Sequence, residues 1–304
     1  MTHSGVATGD SAALASETLN KGQAGGPGPG GRREIVLRVA STLVMAPLGL
    51  LVVYVGGWVL IAATALCAVL AAIEWTRMAT TGAEGWIKPA LYCVLGAGAV
   101  AASVLGAYGL ELAALASLVA AGLATGLARL AKVSLASAAF GAIYVSLPFG
   151  AFIWIRQLYA DGRLFLFAIL AVVWATDIAA YFAGRGFGGP LLSPKDSPNK
   201  TWTGAIGAVV CACLAGVAVA RAAGGALGHW LVFSLLLSVV AQAGDLLESR
   251  FKRLFGVKDT SGFVPGHGGV LDRLDALMAA VVVSALLMRF LPVMAPGFAA
   301  GVTP

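Results

Sequence analysis

Nine apolar runs dominate the sequence, each close to the roughly 20 residues a helix needs to cross the hydrocarbon core of a bilayer. They lie at about 36–54, 57–74, 89–108, 110–127, 136–155, 164–183, 203–222, 229–248 and 276–294. In hydrocarbon every backbone N–H and C=O must find a partner inside the protein, which leaves only helices or a closed barrel. Unbroken apolar runs of this length select the helix. The expected fold is therefore all-α, a polytopic integral membrane protein of about nine transmembrane helices. Composition agrees: 59% of the 304 residues are hydrophobic and 11% are charged, against about a quarter charged in a soluble domain. Gly and Ala dilute the third and fourth runs, so their boundaries are the least sharp.

An odd number of spans puts the termini on opposite sides. With a cytoplasmic N-terminus, sixteen lysines and arginines fall inside, and only Arg156, Arg163, Arg221 and Arg289 fall outside or near that face. That asymmetry is the positive-inside pattern. It accounts for the net charge of +6 with no nucleic acid as partner, and it assigns the segment 249–275 to the cytosol. Residues 1–33 have no apolar core and contain GQAGGPGPGG, the composition of a flexible linker. They are read as a disordered cytoplasmic tail, followed by N-terminal transmembrane helices over 34–163 and a C-terminal region with cytosolic loops over 164–304. Cys67, Cys93, Cys211 and Cys213 all sit inside apolar runs without CxxC spacing, as small hydrophobes do. The sequon at Asn199 is meaningless on a cytosolic loop, and Gly122-x-x-x-Gly126 is at most a small-residue helix contact.

Polar residues interrupt this pattern in few places. Asp177 lies about two turns from the cytoplasmic end of the sixth run, where a carboxylate costs about 2.5–3.5 kcal/mol on insertion scales and usually marks a functional interior. The eighth run ends in Gln242, Asp245, Glu248 and Ser249, and the ninth is preceded by Asp272 and Asp275. A buried ion pair or a helix cap would explain any one of them, but all project to the same cytoplasmic end. Gln242, Asp245 and Ser249 recur at three and four and share a helix face, as do Asp272 and Asp275. Asp245 opposite Asp272 and Asp275 would make an all-oxygen site, suited to Mg²⁺ rather than zinc.

Two loops flank these acids. Ser249–Asp275 carries five lysines and arginines, three carboxylates and His267. His267 sits in GHGG, where backbone N–H groups can approach a phosphate, although a lone loop histidine is equally at home on a solvated surface. The other loop, 184–204, offers Arg185, Lys195 and Lys200, with Thr201 and Trp202 opening the next helix. Basic groups beside a helix N-terminus favour phosphate; a plain basic surface loop is the alternative. Gly184–Gly189 matches GxGxxG, but it follows a membrane helix rather than a strand, so the dinucleotide-binding reading fails. Carboxylates for a divalent cation between two basic Gly-rich loops fit metal-assisted phosphoryl or nucleotidyl transfer. A transporter would place such groups near the midplane on interrupted helices, whereas here they gather at one end. A lipid kinase is the nearer rival.

The order of these residues is similar to a known pattern. Ser249-x-x-Lys252-Arg253-x4-Lys258-Asp259, followed by Pro265-x-His267-Gly268-Gly269-x-x-Asp272-Arg273-x-Asp275, resembles the phosphatidate cytidylyltransferase (CDP-diacylglycerol synthase) family. Asp177-x-x-x-Tyr181-x-x-Gly184-Arg185, Ser193-Pro194, Lys200-Thr201-Trp202 and Gly244-Asp245-x-x-Glu248-Ser249 resemble it too. The likeness spans about 174–275; the first four helices match only in apolar character. Asn199 and Thr203 stand where the family commonly has Lys and Glu, which puts any role for those positions in doubt. The resemblance implies transfer of CMP from CTP to phosphatidic acid, with Mg²⁺ as cofactor and Asp245, Asp272 and Asp275 as metal ligands. It implies that Lys200 and Lys258 are catalytic alongside those acids. Arg185, Lys252, Arg253, His267, Arg273, Asp177 and Tyr181 would bind substrate or phosphate. It further implies a homodimer in a bacterial inner membrane with its site on the cytosolic face.

Overall fold

The computed structural model of the protein describes residues 43–80, 85–130, 133–158, 162–261 and 268–292. The tail 1–33 and His267 lie outside these residues. Ten helices and one hairpin follow in order: α1 (Leu43–Val55), α2 (Gly57–Ala79), α3 (Ile87–Leu105), α4 (Leu110–Arg129), α5 (Leu135–Tyr144), α6 (Leu147–Gln157), α7 (Gly162–Phe187), β1 (Leu191–Ser193), β2 (Ser197–Thr201), α8 (Trp202–Ala223), α9 (Leu227–Leu254) and α10 (Leu271–Phe290).

A helix lies at each of the nine expected positions. Seven are long and apolar enough to cross a membrane, counting α5 and α6 as one interrupted span over Leu135–Gln157. The other two are α1, described for 13 residues, and α10, which carries Asp272, Arg273, Asp275 and Arg289. The chain is a multi-pass membrane protein with an all-α architecture.

Local chemistry explains the breaks. Gly56 and Gly57 take φ of 68° and 54°, a left-handed pair that separates α1 from α2. The fifth run breaks at Val145–Ser146, and Pro148 enters α6 in its first turn, where its missing N–H has no partner to lose. After α9 the N–H of Val257 donates to Lys252 O at 2.9 Å and that of Gly256 to Arg253 O at 3.2 Å. With Gly256 at φ 70°, this is a Schellman ending.

Opposite faces of α8 show why an apolar helix suits lipid. Gly204, Ala208, Ala212, Gly216 and Ala220 are buried at spacings of four, while Trp202, Ile206, Val210 and Leu214 form the exposed stripe. Small residues let backbones approach and large ones meet lipid. A Cβ on Gly216 would lie 1.9 Å from Ser234 Oγ and 3.0 Å from Trp230 O. Gly216→Ala is therefore expected to destabilise the α8–α9 contact by about 1–3 kcal/mol, read as a lower unfolding temperature in detergent.

Two apolar cores share α6 and α10. One joins α6 to α10 around Ile153, Leu166, Ile169, Trp230, Leu237 and Val281; the other joins α2 to α6 around Trp75, Leu91, Ala99 and Ala124, and takes in Leu271 and Met278 of α10. The first half of the chain is thereby packed against the start of α10. Alternating helix directions put Arg156, which donates to Val53 O at 3.2 Å, and Arg289, which pairs with Glu111 at 2.5 Å, at the end away from Asp272.

Candidate active site

α7 extends four residues beyond the expected end of its run, because Gly184 and Gly186 are tolerated within the helix and the first left-handed residues are Gly188 and Gly189. Asp177 consequently lies ten residues from the end of α7, about 15 Å at the helical rise, rather than two turns. Asp177, Tyr181 and Arg185 fall on one face at spacings of four, and all three are exposed.

The expected 184–204 loop is instead partly helix and partly an antiparallel hairpin, in which Leu191 pairs with Thr201 and Ser193 with Ser197. Ser193 Oγ donates to Asp196 Oδ2 across the turn at 2.9 Å. Thr201 caps α8 by accepting from Gly204 N at 3.1 Å. Thr203 donates to Gly188 O, so the proton of the 3.0 Å contact between Thr201 Oγ1 and Thr203 Oγ1 comes from Thr201. Thr203 therefore ties the hairpin to the end of α7. The hairpin carries Lys200 onto Asp245 of α9, and the two form an ion pair. Lys200 and Asp245 also lie within electrostatic reach of Asp177.

Asp272 and Asp275 share a helix turn but serve different surroundings. Asp275 is buried, accepts from Ala276 N at 2.7 Å, and lies within electrostatic reach of Asp245, Glu248 and Asp177. α9 and α10 approach closely here because Gly244 has no side chain: a Cβ there would lie 2.6 Å from Ala279 Cβ and 2.9 Å from Asp275 O. Asp272 turns back onto the preceding loop. Its Oδ2 accepts from Gly269 N at 2.8 Å, Thr260 N at 3.1 Å and Thr260 Oγ1 at 3.0 Å. Its Oδ1 accepts from Lys252 Nζ at 2.8 Å, and Lys252 pairs with Glu248 at 2.7 Å. Burial opposes the charge of Asp272, but the bonds from Lys252 and Gly269 outweigh it and hold the carboxyl down at about 2.

The expected metal triad is therefore not assembled as such. Among the described residues no three acids, cysteines or histidines are grouped to hold an ion, and both oxygens of Asp272 are occupied by protein donors. Asp245 and Asp275 fit Mg²⁺ better, since that ion is commonly held by one or two carboxylates together with substrate phosphates. Lys252 is committed to Glu248 and Asp272, whereas Arg185, Arg253, Lys258 and Arg273 are exposed. Gln242 donates to Ser238 O and Oγ, each at 3.3 Å, and so is directed back along α9.

Two residues from the first half of the chain also enter this region. Glu74, buried near the end of α2, accepts four hydrogen bonds from the segment before α10. The Tyr144 hydroxyl at the end of α5 is buried with no hydrogen-bond partner among the described residues, in electrostatic reach of Asp275, Glu248, Asp245 and Asp272. Glu74 left a signal that sequence reasoning passed over: it is the sole charged residue of the run 57–74. Tyr144 left none, because an aromatic residue in an apolar run looks like core.

Comparison with known proteins covers nearly the same ground. The Cytidylyltransferase family matches residues 36–291, reaching well upstream of the motifs around 174–275 and into the helices that carry Glu74 and Tyr144. Curated relatives include the phosphatidate cytidylyltransferase of Brucella suis biovar 1 (strain 1330), 56% identical over 124 residues, 40% of this chain and 44% of that protein. The same-named protein of Bacillus subtilis (strain 168) is 41% identical over 139 residues, 45% of this chain and 52% of that protein. That of Haemophilus influenzae is 44% identical over 126 residues, 40% of this chain and 44% of that protein. The chain spans about half the length of the curated relatives it matches. With the family match running from the first apolar helix to the last, the chain belongs to the Cytidylyltransferase family.

Proposed function

We propose that the chain is a phosphatidate cytidylyltransferase, transferring CMP from CTP to phosphatidic acid and releasing pyrophosphate. The observation that carries this reading is the Lys200–Asp245 pair, with Asp177 of α7 and the buried Asp275 of α10 both within electrostatic reach of Asp245. It combines cation and carboxylate within one membrane-embedded site, in a chain whose relatives bear that name.

A phosphate oxygen of phosphatidic acid forms a bond to the α-phosphorus of CTP while the α–β anhydride bond breaks and pyrophosphate departs. The attacking phosphate is already ionised near neutral pH, so the residues have little proton transfer to perform. Lys200 exchanges Asp245 for a substrate phosphate and neutralises charge that develops in transfer. Arg185, one turn beyond Tyr181 on the exposed face of α7, offers a second cation. Lys258, Arg253 and Arg273 supply further positive charge from the α9–α10 side. Asp245 and Asp275 would hold Mg²⁺, which supplies charge neutralisation at the phosphate oxygens. The basic loops follow the positive-inside pattern, which supports a cytosolic site in a bacterial inner membrane, where CTP and the lipid meet.

Purified protein incubated with phosphatidic acid, Mg²⁺ and each labelled nucleoside triphosphate in turn tests this. A lipid-linked nucleotide and pyrophosphate are expected with CTP. A phosphorylated lipid and a nucleoside diphosphate would instead identify a kinase, and no lipid product with CTP would overturn the assignment.

A further inference from the structure

Glu74 lies on α2, far in sequence from every motif above, yet it is fully enclosed and its two oxygens are saturated. Oε1 accepts from Ser261 Oγ at 2.5 Å and Val270 N at 2.8 Å. Oε2 accepts from Thr260 Oγ1 at 3.0 Å and Leu271 N at 2.8 Å. The first pair of residues, Thr260 and Ser261, follows α9; the second, Val270 and Leu271, opens α10. One carboxylate therefore clasps both stems of the α9–α10 connection.

Val270 and Leu271 expose N–H groups that no residue within the helix can accept, and a carboxylate is the favoured partner at that end. Glu74 thus acts as a cap from another helix. Thr260 Oγ1 stands 3.0 Å from both Glu74 Oε2 and Asp272 Oδ2, so its single proton is shared between the two clasping acids. Gly269 allows this closeness, since a Cβ there would lie 1.8 Å from Thr260 Oγ1 and 2.6 Å from Glu74 Oε2. Leu271 is one turn before Asp275, so fixing its N–H also fixes the Asp275 carboxylate, which lies within electrostatic reach of Asp245.

We infer that Glu74 is a positioning residue for nucleotidyl transfer, setting the start of α10 so that Asp275 faces Asp245. This rests on the function proposed above. Glu74→Gln preserves shape but turns one acceptor into an NH₂ donor facing two protein donors, whereas Glu74→Asp keeps both acceptors on a shorter stem. Loss of a group that orients a ligating side chain typically costs about 10- to 100-fold.

Hydrogen exchange by mass spectrometry, without substrate, tests the clasp. Faster exchange confined to the peptides around 260 and 270 is expected in Glu74→Gln, and wild-type protection there would overturn the clasp. In turnover assays on the monodisperse protein, kcat should fall about 10- to 100-fold and the Mg²⁺ needed for half-maximal rate should rise. KM for phosphatidic acid should stay within about twofold, and Glu74→Asp should recover part of the loss. Lost protection with unchanged kcat and Mg²⁺ dependence would leave Glu74 merely structural and overturn the positioning role. A wild-type protein without CTP turnover would instead overturn the function on which that role rests, with the exchange result still standing.

Discussion

Asp245→Asn is expected to lower cytidylyl transfer by on the order of 10³-fold, the scale seen when a group that stabilises transition-state charge in phosphoryl or acyl transfer is removed. The variant should nevertheless fold. The Lys200 and Asp245 side chains are 28% and 34% exposed, and ion pairs this accessible contribute only about 0–1 kcal/mol to stability. An unfolding temperature close to wild type, together with a collapsed rate, would separate chemistry from structure. Lys200→Ala should show the same contrast. The double variant should be little worse than either single one, because residues that act as a unit are strongly non-additive. Near-normal turnover in Asp245→Asn would remove that residue from the site. Full additivity would mean that Lys200 and Asp245 serve separate steps.

Lys252→Met should do the opposite, damaging the fold first. Lys252 bridges Glu248 and Asp272, which are 2% and 8% exposed. Removing the shared cation leaves two enclosed carboxylates facing each other, and breaking a buried pair in this way costs about 3–5 kcal/mol. A large fall in unfolding temperature is expected, with much of it restored by adding Glu248→Gln, which removes the unpaired charge that causes the loss. The Asp272 part of the deficit depends on pH. Its carboxyl is held down at about 2 in the folded protein, against about 3.9 in an unfolded chain. The wild type therefore holds this stabilisation above pH 4 and loses it as pH falls toward 2, whereas the variant's carboxyls, deprived of Lys252, take up protons at higher pH, so the gap between the two should narrow progressively as pH falls and begin to do so above pH 4. A stable Lys252→Met protein would mean that its ion pairs contribute little.

The apolar runs foretold where helices lie because crossing a bilayer imposes a length and forbids unpaired backbone. The same reasoning fared less well at the ends of spans. Around 184–204, glycines and prolines looked like an irregular loop, yet Gly184 and Gly186 continue α7, and the hairpin beyond them pairs its own backbone. The end of α9 likewise runs through Lys252 and Arg253, because a helix persists in water once a packed core supports its start.

The acids show the same division. Membrane topology alone put Asp245, Asp272 and Asp275 at the same end of the bundle, since consecutive spans run in opposite directions. It also grouped Asp272 with Asp275, and only the tertiary structure separates their tasks. Asp272 has spent both oxygens on the loop and Lys252, while Asp275 lies within electrostatic reach of Asp245 beside the close approach of α9 and α10 at Gly244. Motif order and the cytidylyltransferase resemblance were legible along the chain because they are local. Glu74 and Tyr144 were not, because the site groups near them lie more than a hundred residues away along the chain and pattern within a single helix carries no record of what it packs against. The sequence by itself determined a bundle of membrane helices with its polar groups at one end. Which acid is free to meet substrate, and which is already satisfied, was decided only when hydrogen bonds from distant segments filled some carboxylates and left others open.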